Sequence, residues 1–281
     1  MKILKNIFIF IVTTILTVSL ILLIVSNLLQ STILDKQYVL AQFDKSDYYN
    51  QIYVYVESNF EKYIYQSGFD KEVIEGLITE EQIKQDTNII LNNIYENSNT
   101  QIDVENIRTN LKNNIDKYLK DNFLEAKQND IDAFINTICN EYLNSISHYK
   151  YEQSIYNGYK KIHDSIATIA KIAKHSIIIC IVLLLILNIP QIMNFIAYLG
   201  VSSFATGIFL TIVKLYINVK IKIQSIMVLN DAISLTIRDM LENILKTVTK
   251  NSIAYIIIGL IIIVVFSTIN AWKYPKKENE N

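Results

Sequence analysis

A chain of 281 residues could hold one or two soluble domains, but 51% of its side chains are apolar and they gather in three blocks. The net charge of −1 conceals a polar stretch, residues 30–174, with 22 acidic and 15 basic side chains, an acidic excess that argues against a nucleic-acid partner. Two cysteines, Cys139 and Cys180, are too few for a disulfide framework and read as small buried hydrophobes.

The first apolar block, IFIFIVTTILTVSLILLIVSNLL at residues 7–29, is uncharged and follows Lys2 and Lys5. At 1.5 Å per residue a helix of this length reaches about 34 Å, enough to cross a hydrocarbon core of roughly 30 Å. A cleavable signal peptide has an apolar core of only about 7–15 residues, so the block reads as an uncleaved signal anchor with residues 1–6 in the cytoplasm.

Residues 30–172 then predict an extracytoplasmic helical domain, poor in Gly and Pro. The aromatic stretch Tyr48 to Tyr65 contains the strand-like alternation IYVYV, yet Tyr48, Ile52, Tyr55 and Tyr63 also suit a helix, and the helical neighbours favour that reading. Thr79 and Gln82 form a capping-box pair ahead of Ile83, Ile90, Leu91 and Ile94. Asp103 caps a helix carrying Val104, Ile107, Leu111, Ile115 and Tyr118 on one face. After Asp130 comes a stripe of Ile131, Phe134, Ile138, Tyr142 and Tyr149. Farther along, Ile155, Tyr159, Ile162, Ile166, Ile169 and Ala173 alternate four and three residues apart, the apolar seam of a coiled coil or bundle. No breaker separates this seam from the next apolar block, which predicts one helix running from the domain into the membrane.

From Ser176 to about Tyr216 the chain is apolar for too long to cross once, and Pro190 with Asn188, Gln191 and Asn194 supplies a turn. The second and third spans are therefore placed at residues 173–191 and 195–216. Residues 217–251 carry eight charges among Ile, Leu, Val and Met, with Ile233, Ile237, Leu241 and Leu245 at helical spacing. This reads as an amphipathic extracytoplasmic segment lying on the membrane or packed on the domain. The fourth span, residues 252–272, ends at Trp272 and Tyr274, with Lys273, Lys276 and Lys277 in a cytoplasmic tail of residues 273–281. The fold class is thus all-α: an integral membrane protein of about four transmembrane helices with a helical-bundle domain outside the cytoplasm, in the cell membrane, both termini inside.

Chemistry is sparse. The chain has no phosphate loop, dinucleotide fingerprint, HExxH, CxxC or GxSxG. His148, His163 and His175 stand 15 and 12 residues apart, which is not ligand spacing on a helix. His163 beside Asp164 lacks a nucleophile nearby, and Glu80 with Glu81 suits the first turn of a helix. No catalytic, cofactor or metal residue is assigned. No ionisable residue lies near the middle of a predicted span, which disfavours an ion-coupled transporter. Ala197, Gly200, Ser203 and Gly207 line one side of the third span, a face suited to packing on another span or to self-association.

The runs YLGVSSFATGIFL at residues 198–210 and LITEEQIKQDTNIILNNIY at residues 77–95, set in this layout, resemble those of uncharacterised bacterial multi-pass membrane proteins with an anchor, a helical outer domain and three C-terminal spans. The resemblance implies the architecture and brings no activity. The expected function is non-enzymatic: a bacterial envelope protein, partnered by the bilayer, whose outer helices bind a protein, self-associate or sense a surface condition. The alternative is a transport component, a passive pore or an accessory transporter subunit.

Overall fold

The computed structural model describes residues 2–146, 152–227 and 231–273. Every regular element among them is helical. Nine α-helices occur there: α1 (Lys2–Gln30), α2 (Lys36–Lys45), α3 (Tyr48–Ser67), α4 (Glu80–Glu96), α5 (Glu105–Asp121), α6 (Gln128–Ile146), α7 (Glu152–Leu187), α8 (Ile192–Lys220) and α9 (Asp231–Lys273). Four of these, α1, α7, α8 and α9, hold stretches long and apolar enough to cross a membrane. The chain divides into two compact units. One comprises residues 1–35, 163–226 and 238–281, and the other residues 36–162 and 227–237.

The apolar unit has a narrow interior. Ile9, Val12 and Leu16 of α1, spaced three and four apart, bury against Cys180 and Leu184 of α7, with Phe195, Tyr198 and Leu199 of α8 beside them. Around this seam the large side chains point outward: Phe10 is 71% exposed, Ile178 62% and Ile261 58%. So much exposed apolar surface is unfavourable in water and at home in hydrocarbon.

Lipid gives helices no hydrophobic reason to associate, so close approach and interhelical hydrogen bonds must hold them together. Gly200 and Gly207 of α8 face Ile262 and Ile256 of α9, and Gly259 of α9 faces the backbone of Phe204. Hydroxyls supply the bonds. Ser19 donates to Ser176 across α1 and α7 at 2.8 Å, and Ser202 donates to the Thr13 carbonyl across α8 and α1 at 3.3 Å. Between α8 and α9, Ser203 donates to the Tyr255 carbonyl at 3.0 Å, Ser252 donates to the Gly207 carbonyl at 2.8 Å, and the Thr211 and Ser252 hydroxyls share a hydrogen bond. At the turn after α7, the Asn188 side chain caps the Leu184 carbonyl at 2.8 Å in place of a lost backbone donor.

The polar unit is packed as a soluble domain is. Ile52, Val56, Phe60 and Ile64 of α3 meet Ile107, Leu111 and Ile115 of α5 and Ile131, Ile135, Ile138 and Tyr142 of α6 in one core. The Tyr48 to Tyr65 stretch is helical, because its buried residues recur at helical rather than alternating spacing. Thr79 caps α4 by accepting from the Gln82 backbone, while the Gln82 side chain bonds to Asp86 instead of turning back to the cap. Asp103 accepts from the backbone of Glu105, the first residue of α5, at 2.9 Å, while Val104 stands at the cap position expected for Asp103.

Several expectations are refined. The seam and the second apolar block do share one helix, α7, 36 residues long. Continuity between the 131–149 stripe and the seam falls outside the described residues, as do His148, Tyr149, Tyr274, Lys276 and Lys277. Residues 231–251 are not a separate amphipathic element but the first part of α9. Their first turns belong to the polar unit, where Ala232 joins the core and Thr236 and Ser46 share a hydrogen bond at 2.6 Å. The buried residues there are Ala232, Ser234 and Thr236, with the predicted Ile233 and Ile237 half-buried; farther along α9 Met240 and the predicted Leu245 are buried and Leu241 is half-buried.

At Gly259 a Cβ would stand 2.5 Å from the Phe204 backbone nitrogen, whereas at Gly158 nothing lies within 4 Å. Gly259→Leu should therefore destabilise the full-length protein in detergent by about 1–3 kcal/mol, the usual cost of overpacking. Gly158→Leu should not. Thermal aggregation midpoints of the two variants compare them directly.

Candidate functional site

The described residues contain no group of three or more His, Cys, Asp or Glu side chains placed to hold a metal ion. The His163 ring nitrogen sits 3.4 Å from Asp164, a loose and exposed contact between chain neighbours. The His175 ring instead bonds the Lys171 carbonyl at 2.7 Å, as a helix-surface histidine does. Cys139 and Cys180 are both free and buried, and burial pushes the Cys139 thiol up, away from the reactive thiolate.

The most perturbed polar pair lies in the core of the polar unit. Asp86 of α4 is buried and accepts a short hydrogen bond from Tyr142 of α6, whose ring is wholly enclosed. Burial raises the Asp86 carboxyl above its ordinary range, partly offset by the Tyr142 and Gln82 hydrogen bonds, and burial together with the carboxylate pushes the Tyr142 hydroxyl up as well. The hydrogen bond ties α4 to α6. The sequence carried one sign of it: Asp86 follows Ile83 by three residues, on the face that Leu91 also buries.

Part of the predicted seam of α7 is left uncovered. Ile155 is 43% exposed, Ile162 54% and Ile169 36%, although their spacing is that of an interface. Tyr159 packs against Tyr95, with ring centroids 4.6 Å apart, Ile166 is half-buried and Ala173 is buried. The positions flanking the seam, Tyr156, Gly158, His163, Ser165, Ala170 and Ile172, carry no Asp, Glu, Lys or Arg.

The small-residue face of α8 has a different fate. Gly200, Ser203 and Gly207 are buried against α9 and Ala197 is half-buried, so the face is used within the chain. Which span would receive it was not legible, since Gly259 on the opposing helix is one glycine in a run of Ile and Val.

No family model, curated protein or solved structure matches the chain.

The Asp86 carboxyl binds its proton more tightly in the folded state than in the unfolded one, so its contribution to stability is largest below about pH 4 and declines as pH rises toward the raised value. Asp86→Asn should remove that slope, and melts of the full-length protein at pH 4 and pH 7 should diverge from wild type in the variant's favour at the higher pH. Tyr142→Phe should instead lose about 1–3 kcal/mol at pH 7, as a buried acceptor loses its donor. Parallel pH profiles for wild type and Asp86→Asn would contradict the assignment.

Proposed function

We propose that this chain is a non-enzymatic integral membrane protein of a bacterial cell envelope, whose helical domain lies outside the cytoplasm and binds another protein along α7. Lysines beside the first and last apolar blocks support a cytoplasmic position for both termini, and four crossings then leave residues 30–172 outside.

The exposed isoleucines of the seam carry the reading. Burying one fully is worth roughly 1.5–3 kcal/mol, so Ile155, Ile162 and Ile169 together form a strong anchor for a partner helix. With no charge flanking them, they impose little electrostatic selection on that helix, and a second copy of this chain suits the face as well as a foreign one. Transport has less support, because the hydroxyls inside the apolar unit hold helices together rather than lining a path.

A photo-crosslinking side chain at Ile162 tests the proposal in intact cells, with Tyr142, fully buried, as the control position. Position 162 should give a reproducible protein adduct whose mass separates a second copy from a foreign partner, and position 142 should give none. Silence at 155, 162 and 169 in a correctly inserted protein would sink the idea.

A further inference from the structure

The apolar unit holds a second feature, independent of the seam. A cleft of about 690 Å³ opens where α8 ends and α9 approaches its apolar stretch, walled by Lys214, Lys222, Lys246, Glu242, Gln224 and Leu245. Three lysines and one glutamate among its lining residues give it a formal charge of two net positive. None of the three lysines takes part in an ion pair among the described residues.

The wall is built rather than loose. Gln224 donates to the Glu242 carboxylate at 2.6 Å, and the Arg238 guanidinium donates twice to the Ile226 carbonyl, at 2.8 and 2.6 Å, so the loop carrying Lys222 is tied to α9 at two points. The Ser225 hydroxyl turns back to the Lys222 carbonyl at 2.7 Å and tightens the same loop. Gln224 already occupies one oxygen of Glu242, which lowers that carboxylate's demand on the lysines.

Depth identifies the ligand. Lys214 is the first charge in α8, with none before it back to Lys174, and Lys250 is the last before the uncharged run that begins at Asn251. The cleft therefore sits where hydrocarbon gives way to headgroups, with Leu245 and Ile223 on its apolar side. Lysine ammoniums bind phosphate as point charges, and at this depth the abundant phosphates belong to lipids.

We propose that this cleft binds the phosphate group of an anionic glycerophospholipid. Each lysine contributes roughly a fivefold factor near an anionic surface, so the three together outweigh the single carboxylate. The lipid is held at the joint between α8 and α9, where its occupancy would brace the loop.

Native mass spectrometry of the full-length protein in detergent tests this, with phosphatidylglycerol, phosphatidylcholine or inorganic phosphate added in separate arms. Wild type should retain phosphatidylglycerol over phosphatidylcholine. Lys214→Gln, Lys222→Gln and Lys246→Gln combined should lower that retention at least about tenfold, while the three Arg replacements preserve it and Lys160→Gln with Lys161→Gln on α7 leaves it unchanged. Should the triple Gln protein lose its monodisperse profile, Lys222→Gln alone, on the exposed loop, should still lower retention several-fold. Displacement by inorganic phosphate at sub-millimolar concentration would overturn a lipid source in favour of a soluble phosphate. Equal retention of both lipids by wild type, or unchanged phosphatidylglycerol retention in the Gln variants, would overturn the site itself.

Discussion

Close backbone approach between α8 and α9 is what holds the C-terminal spans together, and it depends on Gly200, Gly207 and Gly259. In water, two helices this apolar would be driven together by burial alone. In hydrocarbon that force is absent, and attraction comes from short-range dispersion and from hydrogen bonds that form only when backbones are near. The contact of Ser203 with the Tyr255 carbonyl and of Ser252 with the Gly207 carbonyl is thus a consequence of the glycines. Each such bond is worth on the order of 0.6 kcal/mol, so geometry, repeated over several turns, outweighs any single partner.

The polar unit follows the opposite logic. Its helices are amphipathic, and their apolar faces converge on a core in which Ile107, Leu111, Ile115 and Tyr142 are fully enclosed. Burial supplies the stability there. A carboxylate in such a core is costly, and Asp86 is tolerated because Tyr142 and Gln82 both donate to it. The pair makes the packing of α4 on α6 specific, since a rotated α4 would take the carboxylate away from Tyr142 and leave it only the Gln82 donor of its own helix.

Much of this architecture was legible in residue spacing. The apolar blocks announce four candidate spans, and Ile107, Leu111 and Ile115 announce their own burial by recurring every fourth residue. Composition could not say where α9 begins, because the charges in residues 231–250 look like a surface segment until Ala232 and Thr236 are seen to be buried. The partner of the small-residue face was also hidden: spacing shows which side of α8 is small, but contact between α8 and α9 is a property of the fold. The three lysines of the cleft are 8 and 24 residues apart in the chain, too far for any local pattern to join them.

The placement of polar groups in the apolar unit divides them by role. Hydroxyls of Ser19, Ser176, Ser202, Ser203 and Ser252 sit between helices, where each finds an oxygen on a neighbouring span. Lys171, Lys174, Lys214, Lys222 and Lys246 sit toward the ends of the uncharged runs. A hydroxyl can satisfy itself on a backbone carbonyl at any depth, whereas an ammonium needs water or phosphate and is driven to the interface. That separation is a consequence of the solvent alone. What it does not require is convergence: Lys214, Lys222 and Lys246 could each have faced a different side, and repulsion between like charges favours that they should. Their meeting around one cleft, beside a loop tied down by Arg238 and Gln224, concentrates positive charge there. Glu242 supplies one negative charge, and the two that remain uncompensated are the physical reason to expect an anion there.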